Sequence, residues 1–162
     1  MRAPWTTLAL LPLVAAAMLL AGCGGSQKDE RTPVACDEGK AVILDGLRGA
    51  PGEVLLAGDT PISGCLVIGA EQGELADLGE GALAAATQLS AEARAQPGGR
   101  ANLELGYLLG ALTRGSTDTE GVHSELLRRL TVAAEYVPQG ETLSPQFVAT
   151  YEKGFAAGRG HG

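Results

Sequence analysis

Aromatic side chains are scarce in this chain, with two Phe, three Tyr and one Trp among 162 residues. A core must therefore be assembled from Leu, Val, Ile and Ala. Histidine is scarcer still, at His123 and His161 only, and the three cysteines form no Cys-x-x-Cys pair. Both shortages argue against a metal centre, whose ligand sets draw on clustered His and Cys. Positive charge is short too: 12 Lys and Arg face 19 Asp and Glu, for a formal charge of −7. An acidic chain without a basic cluster offers no electrostatic grip on nucleic acid. Glycine is plentiful, yet no phosphate-cradling loop is formed. Gly46, Gly49 and Gly52 lack the Gly-Lys-Ser/Thr ending, and Gly79-Glu80-Gly81 follows residues already on a helical period rather than a strand. No cofactor is expected.

The N-terminus carries the strongest positive signal. Arg2 precedes an uncharged stretch from Thr6 to Ala21, about 16 residues long and interrupted by Pro12. That is short of the roughly 20 residues of a membrane-spanning helix and suits the apolar segment of an export signal. It ends in Leu20-Ala21-Gly22-Cys23. Over residues 1–23 the chain resembles bacterial lipoproteins, whose lipobox has this form. The resemblance implies cleavage before Cys23, a diacylglyceryl group in thioether linkage on its sulfur, and acylation (palmitate or similar) of the freed amine in many species. Each buried methylene contributes about 0.8 kcal/mol, and two or more chains hold stably where one is marginal. The membrane is thus the expected partner, through the acyl chains on Cys23. The expected location is the outer face of the cell membrane, or the outer membrane where there is one. An uncleaved anchor, or a secretory signal with a chance cysteine at its end, remains the alternative.

On this reading residues 1–22 are a signal peptide, residues 23–35 a lipidated cysteine with a polar, glycine-led tether, and residues 36–162 one helical domain. Twelve flexible tether residues would reach roughly 20 Å. The part after residue 22 holds all 19 acidic and 11 of the 12 basic residues, a charge of −8. No later apolar run approaches spanning length. With Cys23 assigned to lipid, Cys36 and Cys65 are left together in an oxidising compartment, where a disulfide is the leading expectation. It would close a 30-residue loop, worth roughly 3–4 kcal/mol in the chain-entropy model. Metal binding and a redox-active pair are weaker rivals.

The periodicity predicts an all-α fold with about four main helices. Asp37 is placed to cap a short helix through Leu47, and a brief extended run at Val54–Leu56 precedes a turn at Gly58–Pro61. From Glu74 a 3-4 stripe (Leu75, Leu78, Ala82, Ala85, Ala86, Leu89, Ala93) runs to Pro97-Gly98-Gly99. A second helix spans about Arg100–Arg114. Thr117 and Glu120 have capping-box spacing ahead of a third, whose face is Val122, Leu126, Leu127, Leu130, Ala133, Ala134 and Val137. Ser144 and Pro145 open a fourth as N-cap and first helical residue. Short connections favour antiparallel neighbours. The buried face is expected to include Leu78, Leu105, Leu109, Leu126, Leu130 and Phe147.

Gly106 and Gly110, with Gly154 and Gly158 repeating the spacing, point to close helix packing. His123 is expected on the surface of the third helix near Glu120 and Glu125, and His161 to be mobile. Arg114, Arg128 and Arg129, offset by Glu120, Glu125 and Glu135, read as a solvated face. No catalytic or metal-binding residues are assigned. The functional expectation is a non-catalytic binding or structural module of the envelope, with an unidentified envelope protein as a further partner. The alternative is a small envelope hydrolase or ligand carrier with a site between helices, for which Glu120 and His123 would have to share a pocket.

Overall fold

The computed structural model describes residues 31–135 and 142–162. The signal segment, Cys23 and Val137 lie outside the described residues. A 3-10 turn, Val34–Cys36, leads into α1, Lys40–Leu47. The two-residue strands β1, Leu55–Leu56, and β2, Thr60–Pro61, pair antiparallel, with Leu55 opposite Pro61. A second 3-10 turn, Ile62–Cys65, precedes α2 (Gln72–Ala95), α3 (Arg100–Asp118), α4 (Ser124–Glu135) and α5 (Pro145–His161). The fold is all-α, with four main helices behind a short N-terminal section stapled by a Cys36–Cys65 disulfide.

Local chemistry explains most of the boundaries. At the start of α2 the Glu71 N–H donates to the Glu74 carboxylate at 3.2 Å, satisfying a helix-end donor. The Ser144 hydroxyl accepts the Phe147 N–H at 3.2 Å, with Pro145 next in the chain, as the sequence indicated. α1 begins at Lys40 behind Gly39, and Asp37 makes no cap there; it closes the preceding 3-10 turn instead.

The largest departure lies between α3 and α4. Thr117 opens no helix, because α3 runs on to Asp118. The Thr113 and Thr117 hydroxyls donate to the carbonyls of Leu109 and Thr113 at 2.7 and 2.8 Å, which keeps both side chains satisfied inside the helix. The helix then ends in a Schellman turn. The Gly121 N–H reaches Ser116 O at 2.8 Å, and the Glu120 N–H reaches Thr117 O at 3.1 Å. Glu120 takes the left-handed position with φ 56°. α4 therefore starts only at Ser124, and Val122, placed on its buried face by the sequence, is exposed.

Helix senses follow from the contacts. Gly79 lies against Leu126 and the Ser90 hydroxyl donates to Ala134 O, so α2 and α4 are parallel. Gly106 faces Tyr151 and Phe155, while Gly110 faces Phe155 and Arg159; α3 and α5 are parallel as well. Consecutive helices α2, α3 and α4 reverse direction through short links, whereas the most intimate pair, α3 with α5, runs in one sense. A Cβ on Gly106, Gly110, Gly154 or Gly158 would fall on the backbone of the facing helix, at Tyr151, Phe155, Leu103 and Tyr107 respectively. The two glycine pairs are thus the packing surface itself. Gly81 does the same for the start of α1, where the Cα of the preceding Gly39 would sit 2.9 Å from a Cβ, and Gly79-Glu80-Gly81 lies wholly within α2.

One apolar cluster runs through the described part, from Cys36 and Ile43 through Leu78, Leu89, Leu105, Leu109 and Leu130 to Phe147. Leu126 packs against it only half-buried. Tyr107 is the fully buried aromatic in this aliphatic core. Phe147, Tyr151 and Phe155 stack at four-residue intervals along α5, with centroids 6.2 and 6.1 Å apart. Burial pushes the Tyr151 phenol up to about 12. Among the described residues no helix is long and apolar enough to cross a membrane.

Candidate functional site

The end of the molecule where the described chain begins is tied by a disulfide and by side-chain contacts. Thr32, Ala35 and Cys36 are buried. Thr32 lies beside Glu74, whose carboxyl it and the Glu71 N–H hold below the usual range. The Cys36–Cys65 disulfide, with Cα atoms 5.6 Å apart, joins this segment to the loop that leads into α2, and both half-cystines are in the core. The pairing expected from two leftover cysteines is present.

His123 is the site residue that sequence reasoning misplaced. It is only 4% exposed, and its Nε2 lies 3.0 Å from Val67 O, two residues beyond Cys65. With Nε2 carrying the proton, the ring donates to that carbonyl; Nδ1 is buried without a partner among the described groups. The residue precedes α4, its own carbonyl accepting the Leu127 N–H at 3.3 Å. It pins the loop after Cys65 to the turn between α3 and α4. No local signal could have shown this, since its partner lies 56 residues away in sequence. Glu120, in the left-handed turn, is exposed while His123 points inward, so the two share no pocket. His161 is the last residue of α5 and is exposed.

The arginines divide. Arg128 and Arg129 both donate to Glu125, at 2.8 and 3.1 Å, on the exposed side of α4. The Arg128 hydrogen bonds, reinforced by Arg129, draw the Glu125 carboxyl down to about 2. Arg114, on α3, donates instead to Gly160 O at 3.1 Å, tying the ends of α3 and α5. The solvated-face reading holds for Arg128 and Arg129.

Three surface clefts add possible chemistry. One of about 410 Å³ lies between α2 and α4, lined by Leu83, Thr87, Arg94, Arg128, Arg129 and Val132. A smaller one, about 250 Å³, is edged by Asp37, Lys40, Asp77 and Glu80 where α1 meets α2. There the Asp37 carboxyl is raised, first by partial loss of solvent and then by Glu74 and Asp77. The third, about 520 Å³, lies by Glu53, Ser63, Arg114 and His161. Its Ser63 hydroxyl donates to Gly162 O at 2.6 Å, which occupies the proton a nucleophile would have to lose. Among the described residues no three His, Cys, Asp or Glu side chains are placed to hold a metal ion together. No protein-family model matches the chain, and no curated protein or solved structure matches it either.

Proposed function

We propose that the protein is a lipid-anchored envelope protein. It is exported and cleaved before Cys23, then held at the outer face of a membrane by acyl chains on that residue. The helical part acts there by binding or structural association rather than by catalysis. The reading rests on Leu20-Ala21-Gly22-Cys23 closing an uncharged export-type segment. The Cys36–Cys65 disulfide, 13 residues further on, supports it. Structural disulfides persist in oxidising, exported compartments and are rare in the cytosol.

Replacing the sulfur tests the reading directly. In Cys23→Ser the hydroxyl forms no thioether, so the precursor should accumulate unprocessed while wild type is processed and partitions with envelope membranes. Equal processing and equal membrane partitioning of the two proteins would refute lipid anchoring at this residue.

A further inference from the structure

Among the described residues the three most exposed large aliphatic side chains are Val34, Ile68 and Val122, at 76%, 67% and 62%. All three belong to the end of the molecule where the chain enters. Val34 is two residues from Cys36, and Ile68 three from Cys65, its disulfide partner. Val122 is next to His123, whose ring bonds Val67 O beside Ile68. The α3–α4 turn, the α2 entry loop and the first 3-10 turn therefore meet here, each bringing one apolar side chain to water. Val132, Val148 and Leu83, the other exposed aliphatics among the described residues, lie along α4, α5 and α2.

Where the preceding chain leads decides what can cover this end. Only eight peptide steps separate Cys23 from Arg31. However arranged, they span no more than about 28 Å. If Cys23 sits in the bilayer, this end is held within about 28 Å of the lipid surface, close enough to touch it.

We propose that Val34, Ile68 and Val122 form a membrane-docking surface that inserts into the interfacial layer of the bilayer holding Cys23. The inference rests on the lipid-anchored reading above. Three aliphatic side chains alone bind lipid weakly, but tethering makes the contact intramolecular, and effective concentration then replaces affinity. The charge around them sets the lipid preference. Glu71, Glu74, Asp118, Glu120 and Glu125 lie at the same end, offset by Arg31 near Glu74, Arg114 near Asp118, and Arg128 and Arg129 on Glu125. The end is thus only slightly negative, and zwitterionic lipid is mildly favoured over anionic lipid.

The chain after residue 22 contains no Trp, since Trp5 is the sole one, so single indoles report cleanly. Val34→Trp, Ile68→Trp and Val122→Trp, with Val132→Trp and Val148→Trp as comparators, would be placed in the mature lipidated protein. Each would be reconstituted into phosphatidylcholine vesicles with brominated acyl chains. All five positions are exposed, so the core is untouched. Quenching of at least twofold at the first three positions and little at the comparators is the expected result, slightly weaker in anionic vesicles at low salt. Adding Ile68→Asp to Val34→Trp should relieve the quenching. Equal quenching at all five positions would overturn the proposal. So would no quenching in protein that still floats with the vesicles, which leaves the anchor standing. Emission that turns blue only in native envelopes would assign the surface to a protein partner and also refute it. Failure to float would refute the anchored reading itself.

Discussion

Glu120 holds a left-handed backbone, φ 56°, at the C-terminal cap of α3, a position where glycine is usual because a Cβ meets the carbonyl there. Glu120→Gly should therefore stabilise the protein by up to about 1 kcal/mol in denaturant unfolding, the relief of strain exceeding the added freedom of the unfolded chain. A loss of stability would mean that the side chain contributes more than its backbone strain costs. The same residue explains a misreading. Glycine comes one position late, at Gly121, so the sequence shows Thr-x-x-Glu, a helix start, where the chain builds a helix end. Glu125 carries the clearest titration. Its carboxyl is held near 2 by Arg128 first and Arg129 next, against an ordinary 4.5. A depressed carboxyl contributes stability above pH 4.5 that fades as pH falls towards 2. Because the pair is exposed, salt screens the contribution. Carboxyl-carbon NMR should find the midpoint near 2, moving up in Arg128→Ala and less in Arg129→Ala. An ordinary midpoint in the wild type would show that the pair does not persist in solution.

At the scale of elements, the parallel α3–α5 contact is set by four glycines whose hydrogens meet facing backbone. Gly158→Ala would drive a methyl into the Tyr107 carbonyl and force the helices apart, and overpacking of this kind costs roughly 1–3 kcal/mol or more. Gly160→Ala, two residues on in the same helix, meets nothing within 4 Å and should be neutral or stabilising by up to about 1 kcal/mol. Thermal melts of the two variants should move in opposite directions, or one should stay still; equal losses would dismiss the interlocked interface. Leucines on α4 divide in a similar way. Leu130 is fully buried, and its truncation to Ala should remove about 2–5 kcal/mol, whereas half-buried Leu126 should lose clearly less. The order of the two midpoints in urea checks this. Both leucines fall on one apolar stripe in the sequence. Only the depth to which α4 sinks onto α2, set partly by Ser90 bonding Ala134 O, separates them.

Across the whole molecule, what could be read in advance was local. The stripe of α2, the Ser144–Pro145 start of α5 and the close-packing glycines depend on spacings of three or four residues, and the structure contains each. What could not be read depends on partners far along the chain. His123 finds Val67, and Gly115 packs on the Ser63 backbone, through pairings without a local mark. The disulfide is the exception among distant contacts, because compartment chemistry rather than local pattern pointed to it. The proposed attachment to a membrane through Cys23 is tested most directly by intact-mass measurement of the protein extracted from envelope membranes. Loss of residues 1–22, together with diacylglyceryl mass on Cys23, is the predicted result. A full-length chain with an unmodified Cys23 thiol would contradict it.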